Sequence, residues 1–205
     1  MNCSPKIQLK VFAFMLAIII FSLFYTICPV YADEELRGFS SDLKKWAEEC
    51  REEIVNEFDK LISSGKLKPA QIFDTFYIPM PDTYPQKYHT QYDTILDTTI
   101  QPILDKYLVK DKRLLFVVVV DKNGYLPTHN TIFSKPLTGD KDVDFINNRT
   151  KRLFNDKIGL AAARNETPYL VQKYVRDTGE SIYDLSLPIM FQNQHWGAVR
   201  IGYQE

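Results

Sequence analysis

The chain has 205 residues, 45% of them apolar and 13% aromatic, which is enough to build a sizeable core and too apolar for a disordered polymer. Its formal net charge is −1, from 25 Lys+Arg against 26 Asp+Glu. Without a basic footprint, nucleic acid is set aside as a partner.

The N-terminal stretch differs from the rest. Lys6 and Lys10 precede an apolar run from Val11 to Cys28, interrupted by Ser22 and Thr26 and followed by the helix breaker Pro29. Val30-Tyr31-Ala32 then places small residues at the −3 and −1 positions before Asp33. A basic start, an apolar middle and this ending make a secretory signal segment over residues 1–32. The alternative is an uncleaved membrane anchor, because the run approaches the length that spans a bilayer. Either way, one domain over residues 33–205 is expected to work outside the cytoplasm, in the periplasm for a bacterial chain. Cys3 and Cys28 fall inside the export segment, so Cys50 is left without an intramolecular disulfide partner and reads as a buried helix thiol. The sequence has no C-x-x-C-H, which excludes covalent c-type haem, and no cofactor is expected.

From Leu36 to Ser64, apolar residues recur in steps of three and four (Leu36, Phe39, Leu43, Trp46, Cys50, Ile54, Phe58, Leu61), which predicts one long amphipathic helix. Lys66 to Thr90 carries Pro69, Pro79, Pro81 and Pro85 among aromatics and predicts an irregular wrap. A second helix is predicted over Thr94–Leu108, with Pro102 a potential kink. Leu114–Val120 is a β-branched run with no polar position, read as a central strand covered on both faces. Asp121-Lys122-Asn123-Gly124 is a hairpin turn, and Tyr125–Thr128 the returning strand. Short helices are expected at Lys151–Phe154 and Gly159–Arg164. A meander follows: strands at Tyr169–Arg176, Ser181–Met190 and Trp196–Tyr203, joined at Asp177–Glu180 and Gln192–Gln194. The sum is an α+β fold, with a long N-terminal helix on a five-stranded antiparallel sheet that carries a helical insertion.

Three blocks in this order resemble the periplasmic PAS-like Cache sensor domains of bacterial methyl-accepting chemotaxis proteins. They are Asp121–Asn130; Asn148–Phe154 leading into Gly159–Asn165; and Gln172–Glu180 continuing through Leu187-Pro188-Ile189 to His195–Tyr203. The resemblance covers roughly residues 70–203. It implies a sheet whose concave face and overlying loops enclose a small-molecule pocket. Such sensors usually continue into a second membrane helix and a signalling region. The sequence shows neither, so a solitary sensor domain is expected.

Arg149 and Arg152 lie in the insertion, which in this architecture borders the pocket. Arginine can fix a carboxylate by two parallel hydrogen bonds, so a carboxylate-bearing ligand would suit them. The competing reading pairs Arg149, Lys151 and Arg152 with Asp140, Asp142 or Asp144. His129 either faces the pocket or bonds the backbone of the next turn. Tyr174 and Tyr183 read as one aromatic wall or as plain core, and Tyr92, four residues from Tyr88, as a cover from above. Asp184 is a further candidate ligand contact, although alternation means that it and its neighbour Tyr183 cannot both face inward. His89, His129 and His195 are scattered and do not predict a metal site. The sequence has no G-x-S-x-G, phosphate loop or nucleotide fingerprint. The expectation is a binding domain that catalyses nothing. Its alternatives are a module docking on a membrane receptor or on a second copy through the long helix, and a non-covalent haem sensor.

Overall fold

The computed structural model describes residues 39–204. The chain divides into units Met1–Asp42 and Leu43–Glu205. Of the first unit, only the start of a helix is described, and the export segment at residues 1–32 lies outside the described residues. No helix of the described residues is long and apolar enough to cross a membrane.

Helix α1 (Phe39–Ser63) follows the three-and-four spacing: Leu43, Ala47, Cys50, Ile54, Phe58 and Leu61 are buried along one stripe. The proline-rich wrap holds helix α2 (Pro69–Ile72) and a small ribbon in which β1 (Ile78–Pro79) pairs antiparallel with β2 (Tyr88–His89). The predicted second helix is two, α3 (Asp93–Thr99) and α4 (Gln101–Leu108). Pro102 has no N–H to give to the preceding turn, so it sits in the first turn of α4, where that donor is not needed.

Then come β3 (Leu114–Asp121), β4 (Tyr125–Leu126), a 3-10 turn (Thr131–Phe133), α5 (Lys141–Asn147), β5 (Arg152–Leu153), α6 (Lys157–Ala163), β6 (Leu170–Val175), β7 (Ser181–Phe191) and β8 (Gln194–Tyr203). The main sheet has four strands in the order β3-β8-β7-β6, all antiparallel, where five were expected. The strand returning after the Asp121–Gly124 turn does not join the main sheet: its two residues pair with β5, and Pro127, which has no N–H to donate, follows its end. The Asn130 side chain compensates at the sheet edge: its Oδ1 accepts from Val117 N at 2.9 Å. The expected helix at Lys151–Phe154 is also corrected. Lys151 sits at φ 60°, outside the helical region, and its successors form β5. The helix forms earlier, at α5, where Asp140 caps the amides of Asp142 and Val143.

Register assigns the two faces of the sheet. Val118 pairs with Arg200, Ser186 with Arg200, Asp184 with Gln172 and Gly202, and Tyr174 with Ile182. Alternation therefore puts Phe116, Val118, Arg200, Ser186, Asp184 and Tyr174 on one face. Val117, Val119, Val199, Ile201, Leu185 and Leu187 occupy the other, where all are buried. Helix α4 runs against β3. Phe58 of α1 meets Trp196 and Phe191 edge-on, with ring centroids at 5.1 and 5.5 Å.

Candidate functional site

A cavity of about 320 Å³ opens on the face that carries Arg200 and Tyr174. Phe116 and Val118 of β3 and Leu126 of β4 make its apolar floor, continuous with a core of Val120, Ala163, Ile182 and Ala198. Phe154, Ile158 and Gly159 form one wall, and His129, Arg149, Tyr174, Arg176, Asp177 and Arg200 supply its polar groups. An apolar chamber with a few convergent polar side chains is the usual form of a small-molecule site.

Arg149 is the most constrained of these. Lys87 donates to the carbonyls of Asn148 and Thr150, at 2.9 and 2.7 Å, and so grips the backbone on both sides of it. Burial, with the charges of Arg152 and Lys151, pulls the Lys87 ammonium down to about 7. Lys151 bonds Asp97 at 2.7 Å and the carbonyl of Pro127 at 3.1 Å, tying the same segment to α3 and to the loop after β4. The guanidiniums of Arg149 and Arg152 both stack on Phe145 and Phe154, at 5.0–5.9 Å from the ring centroids. Phe154 is itself fixed through its backbone. Its N–H donates to the Gly124 carbonyl at 2.8 Å. Its own carbonyl lies where a Cβ on Gly124 or Gly159 would come within 2.3 or 2.1 Å.

Arg149 and Arg152 do not pair with the acids of α5. Asp140 caps that helix, and Asp144 accepts from Thr138 N and Gly139 N. Their acid is Asp177. Arg149 Nη2 lies 2.8 and 3.0 Å from its two oxygens and Arg152 Nη2 at 3.4 Å from one of them. The buried Nη1 of Arg149 has no hydrogen-bond partner. Burial and Arg149 pull Arg152 down to about 10, which leaves its guanidinium charged at neutral pH.

His129 lines the cavity and bonds backbone as well: its Nδ1 accepts from Asn130 N at 2.7 Å. Burial, with Arg149, Arg176, Arg152 and Lys87 around it, holds it well below the usual histidine range. It is therefore neutral, with its proton on Nε2. Tyr174 lines the cavity, its hydroxyl pushed up to about 12 by burial and by Asp184. Asp184 is wholly buried on the cavity face and is the counter-ion of Arg200, whose Nε donates to it at 2.9 Å and whose Nη2 also contacts it. Burial works to lower Arg200, but the charge and hydrogen bonds of Asp184 outweigh that and hold it above its ordinary value.

Two expected wall residues lie elsewhere. Tyr183 occupies the opposite face, stacked on Tyr203 at 5.5 Å with Lys173 over its ring at 4.8 Å. Tyr92 is buried under the first hairpin, in a cluster around Asp121 that receives the hydroxyls of Tyr77 at 2.6 Å and Tyr92 at 3.2 Å. Tyr92 anchors the wrap to the hairpin and does not cover the cavity. Arg176, Asp177 and Arg200 were not singled out from the sequence. Arg200 had a readable signal: an arginine inside the strand Trp196–Tyr203 needs a buried acid, and the tight β7–β8 turn puts Asp184 on its face, one pair along. Asp177 had none, because an Asp-Thr-Gly turn is accounted for by turn chemistry alone. Among the described residues, no three His, Cys, Asp or Glu side chains converge on a metal-sized site.

No family model matches the chain, and no curated protein matches it. Among solved structures it is similar to an extracellular ligand binding receptor from Desulfohalobium retbaense DSM5692, at 13% identity and a TM-score of 0.38. The match covers 78% of this chain and 24% of that one, so the chain spans about a quarter of that receptor's length.

Proposed function

We propose that this is an extracytoplasmic small-molecule-binding domain, of the PAS-like Cache kind that the sequence resembles, which takes a carboxylate-bearing ligand and transforms nothing. The observation that carries the reading is Arg149: a guanidinium on a cavity wall, against the rings of Phe145 and Phe154, its flanking backbone carbonyls held by Lys87, with one nitrogen unpartnered. Leaving a buried donor unsatisfied costs about 1–3 kcal/mol, and more on a charged group, which an anion in the cavity would offset. His129, neutral and fixed by Asn130, supplies a ring N–H donor, and Tyr174 a hydroxyl. The exported location rests on the pattern of residues 1–32, and the strand order β3-β8-β7-β6 supports the PAS-like reading.

The test is a thermal-shift screen of the purified chain with carboxylates, amino acids and amines. A ligand at hundredfold excess over its Kd stabilises by about 2.7 kcal/mol. One carboxylate class should stabilise the protein, and Arg149→Ala and Tyr174→Ala should each remove the effect. A ligand whose affinity neither substitution changes would place its site elsewhere and overturn this assignment.

A further inference from the structure

The acid that holds the two arginines comes from the edge of the sheet. Asp177 follows β6, an edge strand of the sheet, and opens the turn into β7. Its side chain is 35% exposed, whereas that of Arg149 is 6% exposed, so the carboxylate stands between solvent and the buried guanidinium. The match between them is incomplete. Arg149 offers Nη2 alone to both oxygens, its Nη1 is left over, and Arg152 reaches only 3.4 Å. An arginine–carboxylate pair is strongest when two parallel N–H groups meet two oxygens. One carboxylate thus serves two cations and satisfies neither in that geometry.

The hydrogen bonds that shape the turn do not involve the carboxylate of Asp177. Among the described residues, its backbone bonds close within itself, Arg176 N–H to Glu180 O at 2.9 Å and Gly179 N–H to Arg176 O at 2.9 Å, as does Thr178 to Glu180, while the Arg176 guanidinium reaches back over the Phe116 ring at 5.6 Å. Giving up Asp177's contacts would leave those intact. Asp177 holds Nη2 while Nη1 has no partner, so a carboxylate that takes both nitrogens of Arg149 must compete with Asp177 for Nη2.

We propose that Asp177 is a tethered competitor for the anion subsite of Arg149 and Arg152, and that the β6–β7 turn swings outward as a ligand carboxylate replaces it. The inference deepens the reading of the cavity given above and rests on it. A tethered group acts at an effective concentration of the order of millimolar, so Asp177 screens the subsite against weakly bound ambient carboxylates. A ligand that wins must gain from the apolar floor as well.

The experiment compares the purified wild-type chain with Asp177→Asn, using acetate and succinate as probes against chloride at matched ionic strength. Removing the competing charge should tighten binding of both probes about tenfold or more, the worth of a charge-assisted hydrogen bond to a buried guanidinium. Asp177→Asn should also melt below wild type in chloride, since two cations lose their acid, and rise further than wild type when acetate is added. Adding Arg149→Ala to Asp177→Asn should abolish the gain. Equal or weaker probe binding by a folded Asp177→Asn, with wild type binding, would sink the competitor role and leave the cavity reading standing. Silence of both proteins toward both probes would instead remove the cavity reading, and this inference with it.

Discussion

The Asp184–Arg200 pair offers a sharp test of how the cavity wall is held. Asp184 is 0% exposed and Arg200 side chain 7% exposed, so each charge depends on the other. At a separation of about 4 Å and an effective dielectric near 20, their attraction is of the order of 4 kcal/mol. Asp184→Asn preserves shape and one acceptor but leaves Arg200 buried without a counter-ion, a change that costs about 3–5 kcal/mol. For a domain of this size, each kcal/mol lowers Tm by about 2–4 °C, so the melting point should fall by about 6–20 °C. Urea unfolding should show the same loss as a lower midpoint at unchanged slope. The second arm removes both charges, with Asp184→Leu combined with Arg200→Met. Asp184 Oδ1 lacks a partner even in the intact pair, so desolvation is not fully offset and the apolar pair should recover most of the lost stability. A loss below about 1 kcal/mol in Asp184→Asn, or a double variant no better than the single, would refute the reasoning.

Two further predictions concern pH. His129 is held neutral in the folded protein, while the unfolded chain protonates near 6.5, so below that pH the unfolded state binds the extra proton. Stability should therefore fall from pH 6.5 toward 5, by up to about 1.4 kcal/mol per pH unit, and His129→Gln should flatten that slope in urea titrations. Lys87 is drawn down to about 7 in the fold, whereas an unfolded lysine keeps its proton to about 10.4. The unfolded state again binds more protons, so stability should rise between pH 7 and 9, and Lys87→Met should remove that rise. A flat wild-type profile across either window would contradict the corresponding assignment.

Patterns that repeat were the legible part of the fold. The three-and-four spacing of Leu43 to Leu61 and the unbroken Leu114–Val120 run appear as α1 and β3 close to their expected limits. What could not be read were decisions taken by single residues. The returning strand stops before Pro127 and pairs with β5, Lys151 adopts a left-handed conformation where a helix was expected, and Pro102 divides one helix into two. The candidate site divides in the same way. His129, Arg149 and Tyr174 are brought to one cavity wall, because loop, insertion and meander converge over the same sheet face. Asp177 was hidden by its role in a turn, and Tyr92 and Tyr183 were displaced by partners of their own, Asp121 and Tyr203. Long-range partnership, between residues tens of positions apart, leaves no periodic trace in a sequence.

The closeness of Gly124 and Gly159 to the carbonyl of Phe154 has a consequence for anyone who would retune this cavity. The ring of Phe154 forms half of the clamp on the two arginines, and its position is dictated by two neighbours that have no side chains at all. Gly124 belongs to the first hairpin turn and is not among the cavity's lining residues, yet a methyl group there would push the clamp aside as surely as a change at Phe154 itself. A library that varies only what a ligand touches would leave one of the cavity's determinants untouched. Random changes at that distant turn would register as lost recognition with every contact residue intact.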